Sequence, residues 1–456
     1  MRMKIQRAAA FAIAAGAVGA CTLDLENPNA PTEAQVTTSV DGVIALATGL
    51  QGRFAVSYGN FAYMAGLVTD EFASTSAALI SISDAEQGAV PSGTAIADNV
   101  FNSVYRTVRT ADDLLAGSEA LAAQFDAGTR SGVRALAFAL KAEALGEAIQ
   151  SYQKIPINTY GVTAPVYVSR AEALALVRAL LDSAAAAITA TAPSAFFNAS
   201  ILTPGVNLTN VIQLFRARYA RMANDDATAL AAANLVGRTG TGALSLLTFP
   251  SPTVNFYANV TGGTNGIAPR RQWRLSMATG DQRFSYFVAP STTVTGRIGA
   301  LLDPWSRYAN PQAPLPVYMP DEALLIKAEA LANQNQLAAA QAALDSVRTD
   351  CTGGRGLDDP KACLTALTSQ LSQSQLLAEI YVQRRYELLG TGLRWEDTRR
   401  RSAIRGPTAA PSVPTDGQRC WLPYALGDRN ANPNATFTAL PDPTEPAAFP
   451  ASCPAQ

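Results

Sequence analysis

The sequence predicts a mostly α protein: helical hairpins of tetratricopeptide-like build forming a scaffold, with a loop-rich insertion that carries little β structure. Three observations point there. Apolar residues recur at helical spacing over 40–56, 96–115, 129–151, 169–189, 210–223, 225–236, 321–332 and 336–347. Two twenty-residue stretches, 217–236 and 328–347, each read helix, Asn at the eighth position (Asn224 and Asn335), helix, and share Ala at several aligned places. Small residues at such places let neighbouring helices approach closely, as in stacked helical repeats. Between these blocks, about 237–317 is rich in Gly, Thr, Pro, Asn and aromatics, with the β-branched run Ser291–Thr295. It reads as a loop-dominated subdomain with one hairpin.

Taken from the start, Arg2, Lys4 and Arg7 precede an apolar run of 11 residues, Ala8 to Val18. That run is too short to span a bilayer and reads as a secretory signal over residues 1–20. Val18-Gly19-Ala20-Cys21 is a small-residue cleavage site with Cys directly after it, the arrangement of bacterial lipoproteins. Cys21 is therefore the expected lipid attachment site, and two or more acyl chains give stable membrane anchoring. Residues 21–39 hold turn formers without apolar periodicity and are expected to be a tether. After the helix from Val40 comes Tyr58-Gly59-Asn60-Phe61-Ala62-Tyr63, aromatics around a glycine. Tyr58, Phe61 and Tyr63 are read either as a ligand-facing loop or as closure of the core.

In the helix from Asp321, Pro320 and two acids stand at the N-terminus, where the missing donor is harmless and the dipole favours negative charge. In the loop-rich part, Phe256, Tyr257, Trp273, Tyr286, Trp305 and Tyr308 are candidates for a binding platform. Flat aromatic faces stack on sugar rings or peptide side chains, and Arg270, Arg271, Arg274 and Asn310 are placed to add directional hydrogen bonds.

Composition narrows the chemistry. The 456-residue chain is 48% hydrophobic and 16% charged, with formal net charge -1, and loss of the first twenty residues brings it near -4. No nucleic-acid footprint is visible. With no histidine, the chain has no Ser-His-Asp or Cys-His nucleophile and no His-containing zinc site. No cofactor or metal is expected. Paired carboxylates remain as the enzymatic alternative, with Asp70, Glu71 and Asp303 as notional candidates, although adjacent Asp70 and Glu71 on a helix would point in different directions. Of five cysteines, Cys351, Cys363, Cys420 and Cys453 remain after Cys21 and permit two disulfides in three connectivities. The local loops favour Cys351 with Cys363 and Cys420 with Cys453.

Near the C-terminus, Leu377, Ile380, Tyr381, Arg384 and Leu388 lie at helical spacing. Arg384, Arg385, Glu387, Arg394, Trp395 and Asp397 interleave charge with that stripe, which reads as a buried helix pair whose charges satisfy one another. Gly390-Thr391-Gly392 breaks the pair.

This stretch resembles the hallmark of the RagB/SusD nutrient-uptake lipoproteins, E-R-R-x-E-L followed by E-G-x-R-W-x-D-x-x-R. The match runs through Arg384, Arg385, Glu387, Leu388, Gly392, Arg394, Trp395, Asp397 and Arg400, with Gln383 and Thr391 standing where the family has Glu. The segments Asp24-Leu25-Glu26-Asn27-Pro28-Asn29 and Tyr318–Ala330, and in part Trp421–Tyr424 with Asn432-Pro433-Asn434, are similar to further family segments. The resemblance implies a single α-helical domain over 40–456 at the outer membrane, lipid-anchored and facing the exterior. It implies a non-enzymatic protein that binds a glycan, oligosaccharide or peptide and delivers it to a SusC-like TonB-dependent transporter. The alternative from the residues is a helical-repeat envelope scaffold without a transport ligand.

Overall fold

The computed structural model describes residues 37–400 and 420–436, apart from short gaps at 239–242, 244, 250, 262, 291–293 and 352–357. Helices dominate. α1 (Val40–Leu67) is followed by the short strand β1 (Phe72–Ser74) and by α2 (Ile80–Glu86), α3 (Ala95–Ala120) and α4 (Ala127–Ser151). The hairpin β2–β3 (Lys154–Pro156, Tyr167–Ser169) leads into α5 (Arg170–Ala190), α6 (Leu208–Met222) and α7 (Asp226–Leu235). After the loop-rich part come α11 (Glu322–Asn333), α12 (Leu337–Arg348), α13 (Gln373–Glu387), α14 (Leu393–Arg400) and α15 (Leu426–Ala431).

Among its described residues the loop-rich part holds three single-turn α-helices, α8 (Phe256–Asn259), α9 (Arg271–Leu275) and α10 (Phe284–Phe287), with the strands β4 (Leu246–Leu247), β5 (Ile267–Pro269), β6 (Val294–Thr295), β7 (Leu301–Leu302) and β8 (Leu315–Pro316). The strands pair antiparallel in twos, β1 with β5, β2 with β3, β4 with β8 and β6 with β7. The expected hairpin is β6–β7; the one-turn helices were not legible, because four or five residues hold no helical period.

Helix boundaries follow side-chain caps. Ser39, Asp126 and Asp225 accept from the backbone N–H groups of Gly42, Thr129 and Thr228 at 3.1, 2.9 and 3.0 Å. Ser169 and Ser372 form capping boxes with Glu172 and Gln375. The helices pack in succession, α1 against α3 and α4, then α4 on α5, α5 on α6, α6 on α7, α7 on α11, and α11 on α12 and α13. Both repeat hairpins turn through an Asn in the left-handed region, Asn224 at φ 58° and Asn335 at φ 59°. Leu324, Leu325, Ala328, Leu344, Leu376 and Ile380 close a separate small core among α11, α12 and α13.

One boundary departs from expectation. The helix from Val40 runs on to Leu67, so Tyr58, Phe61 and Tyr63 lie on α1 and form no loop. The glycine that suggested a break is a packing device: a Cβ at Gly59 would lie 2.5 Å from the Phe256 ring.

Candidate ligand groove

The aromatic platform is a core. Trp273, Trp305, Tyr308, Tyr257, Phe61, Tyr58 and Tyr63 are 1–7% exposed, while Tyr286 and Phe256 are half-buried. Tyr257 stacks on Tyr308 at 5.2 Å and meets Trp305 at 4.9 Å, while Trp273 meets Phe287 edge-on at 5.8 Å. Their polar tips are satisfied internally: Trp273 Nε1 donates to the Arg385 carbonyl (3.1 Å) and Trp305 Nε1 to the Ile267 carbonyl (3.2 Å). Tyr286 lies under the Arg307 guanidinium at 4.4 Å and donates to the Asp358 carbonyl. The expected polar partners are likewise consumed: Arg270 pairs with Glu86 (3.0 Å), Arg271 and Arg274 both pair with Asp303 (3.1 and 2.6 Å), and Asn310 Oδ1 accepts from the Gln312 backbone. A tryptophan buries so much apolar area that core filling prevails wherever its N–H reaches a carbonyl.

Tyr63 and Phe256 do reach a surface. They line a groove of about 350 Å³ with Asn60 from α1, Ser81 from α2, Thr94 and Asn99 from the start of α3, and Asn265 from the turn before β5. The size suits a small ligand or one end of a longer one. Its floor is preorganised. Tyr63 Oη donates to the Asn265 carbonyl at 3.2 Å and packs edge-on against Phe256 at 5.7 Å. The β1–β5 ladder and the bond from Leu79 N to the Thr264 carbonyl (2.8 Å) hold the turn beside α2.

No charged side chain lines the groove among the described residues. The side-chain carboxamides of Asn60 and Asn99 have no hydrogen-bond partner among the described residues, and Leu79 stands exposed at the groove's rim. Carboxamides that donate and accept, beside aromatic edges and without fixed charge, match a neutral hydroxyl-rich ligand. The sequence placed Asn60 only within the Tyr58–Tyr63 segment and singled out neither Asn99, Asn265 nor Ser81, because a polar residue on a helix or turn carries no local mark of lining a groove. Only the fold gathers Asn60, Asn99 and Asn265 from three distant segments.

The C-terminal charges lie within the fold, away from the groove. Arg394 grips Asp70 through two bonds (2.7 and 3.0 Å), and Arg385 reaches the same carboxylate at 3.0 Å. Arg384 and Arg400 share Asp397, each at 2.7 Å, and Arg400 continues to Glu329 on α11 at 2.6 Å. Arg283 from the loop-rich part approaches Glu387 at 3.6 Å and donates to Gln383 Oε1 at 2.7 Å, so the Gln at that position still receives an arginine. Thr391 Oγ1 donates to the Leu388 carbonyl at 2.7 Å, and Trp395 is 1% exposed. Asp70, Glu71 and Asp303, the candidate catalytic carboxylates, are all buried at 6% exposure or less. They present no solvent-facing pair of the kind glycoside hydrolysis needs.

Cys351 and Cys363 form a disulfide. Cys420 is disulfide-bonded as well, and its expected partner Cys453 lies outside the described residues, as do the signal segment, Cys21 and nearly all of the tether.

Residues 306–426 match the family model described as the SusD family. No curated protein matches the sequence. Among solved structures, a SusD superfamily protein from Bacteroides thetaiotaomicron VPI-5482 aligns with TM-score 0.67 at 16% identity, covering 86% of this chain and 98% of that one. NanU of B. fragilis aligns with TM-score 0.65 at 12% identity over 90% and 98%. A SusD-like carbohydrate binding protein from Bacteroides vulgatus ATCC 8482 aligns with TM-score 0.59 at 16% identity over 77% and 81%. At such identities the structural likeness is one of fold.

Proposed function

We propose that the chain is a SusD/RagB-like binding protein that captures a neutral glycan in the groove between α1, α2, α3 and the turn before β5. The observation that carries this reading is the groove itself, with partnerless carboxamides, aromatic edges and no charge among its described lining residues. A structural relative described as a SusD-like carbohydrate binding protein supports the same ligand class. The burial of Asp70, Glu71 and Asp303, with Asp70 and Asp303 held in arginine pairs, supports binding rather than catalysis. We further propose that Cys21 is lipidated at the outer membrane with the body facing outward, and that the glycan passes to a SusC-like TonB-dependent transporter. The lipoprotein pattern at Val18–Cys21 supports the first, and the match of residues 306–426 to the SusD family model supports the second.

Two measurements test this. Titration calorimetry against a panel of neutral oligosaccharides is expected to find a ligand whose affinity falls about 10-fold in Asn99→Ala and in Asn60→Ala, the worth of one hydrogen bond each, with the melting temperature unchanged. If every binding oligosaccharide ignores both substitutions, the groove is not the site. A pull-down from detergent-solubilised outer membranes is expected to recover a large TonB-dependent barrel with the native chain. Recovery of none, from correctly lipidated protein, would favour the envelope scaffold.

A further inference from the structure

A second groove opens along the other edge of α1. It encloses about 640 Å³ between α1 and α3, lined by Ala45, Gly49 and Arg53 on one side and by Tyr105, Arg106 and Arg109 on the other. Ala45, Gly49 and Arg53 are four residues apart and share one face of α1; Tyr105 and Arg109 do the same on α3. The two small residues leave the channel open, and a Cβ at Gly49 would meet nothing within 4 Å.

The charge is one-sided. Arg53 and Arg106 are exposed and form no ion pair among the described residues. Arg109 is held in place by Asp113 at 3.0 Å and lies over the Tyr160 ring at 4.8 Å. Asp113 is the one carboxylate among the groove's lining residues, so three guanidiniums face a single acid. In a chain of net charge -1 this is a local excess of positive charge, set in a concave surface beside the Tyr105 ring. Guanidiniums bind carboxylates through paired N–H donors, and an aromatic face beside them accepts a sugar ring.

We propose that this groove is a second ligand site, one that takes a carboxylate-bearing saccharide. The saccharide class rests on the glycan reading above; the selectivity for negative charge rests on the arginines alone. The first groove lacks charge and the second is built on it, so the two sort glycans by charge.

The test uses the full mature chain with Cys21→Ala, titrated with a trimer of galacturonic acid and with the neutral galactose trimer. The acidic trimer is expected to bind about tenfold more tightly than the neutral one at low salt, with the preference fading as salt rises. The double substitution Arg53→Ala/Arg106→Ala is expected to abolish that preference. Gly49→Met places a side chain in the open channel and improves helix propensity; it is expected to weaken the acidic trimer tenfold with the melting temperature equal or higher. Neutral-glycan binding at Asn60 and Asn99 stays unchanged in both variants, which separates failure here from failure of the first groove. Equal affinity for the two trimers, or a preference that survives both variants, overturns the proposal. So does acidic-trimer binding that appears only after Asp24→Asn/Glu26→Gln/Glu33→Gln, which would make the chain's own acidic N-terminal segment the occupant.

Discussion

Glu71 and Glu396 show how the same side chain takes opposite states in one core. Burial pushes the Glu71 carboxyl up to about 8, with Asp70 adding to the shift and Arg394 opposing it. Burial would raise Glu396 too, but Arg170 at 2.7 Å and Arg399 at 2.9 Å outweigh it and hold that carboxyl at about 2. The signs of the two stability contributions therefore differ. Glu71 binds its proton more tightly folded than unfolded, so its contribution is complete below about pH 4.5 and is lost as pH rises through about 8. The contribution of Glu396 is present above about pH 4.5 and is lost as pH falls toward 2. Glu71→Gln is accordingly expected to gain stability over the native chain at pH 9, on the order of a few kcal/mol, and little at pH 5. Thermal melts at the two pH values check this, and parallel decline of both proteins between them would refute it.

The helical hairpins were the legible part of the sequence, and their legibility has a local cause. A helix–Asn–helix pattern states its own geometry: the turn needs one left-handed residue, and Asn tolerates that region where β-branched and larger residues do not. At the second hairpin, Asn335 takes φ 59° and the following Gln336 N–H returns to the Leu331 carbonyl at 2.9 Å, as Asp225 N–H does to Ala220 in the first. Asn335→Gly is expected to leave stability within about 0.5 kcal/mol, whereas Asn335→Val costs about 1–2 kcal/mol. Urea denaturation distinguishes the two, and equal stabilities would show that the turn relaxes to another conformation. The elements that stayed illegible are those whose reason lies elsewhere in the chain. Gly59 suggested a loop, yet it admits the Phe256 ring at a distance no Cβ would allow, as Gly66 admits Phe72. The groove was hidden in the same way, since nothing near Asn60 in sequence announces Asn99 or Asn265.

At the scale of the whole molecule, α13 and α14 are tied by side-chain bonds to three parts of the fold. Arg394 and Arg385 fasten them to the end of α1 through Asp70, Arg400 fastens them to the repeat helix α11 through Glu329, and Trp273, Tyr386 and Arg283 fasten them to the loop-rich part. The sequence showed that these charges needed partners; it could not show that Asp70, 324 positions away from Arg394, was one of them. Such a buried cluster is not in itself a source of net stability, because desolvation offsets most of the Coulomb gain. Its effect is felt when one member is removed. Arg394→Met leaves Asp70 with one cation instead of two and is expected to cost about 3–5 kcal/mol, a fall of roughly 5 °C in melting temperature for a chain of this size. Asp70→Leu should cost as much, since it strands both guanidiniums. The double variant Asp70→Leu/Arg394→Met removes a charge of each sign and fills the space with apolar volume. It is expected to recover at least half the summed loss, a coupling that independent sites more than 10 Å apart do not show. Additive losses in that cycle would mean that Asp70 and Arg394 support the fold separately, and that the α1 end and the C-terminal helices are held together by packing such as that of Phe61 against Gly392.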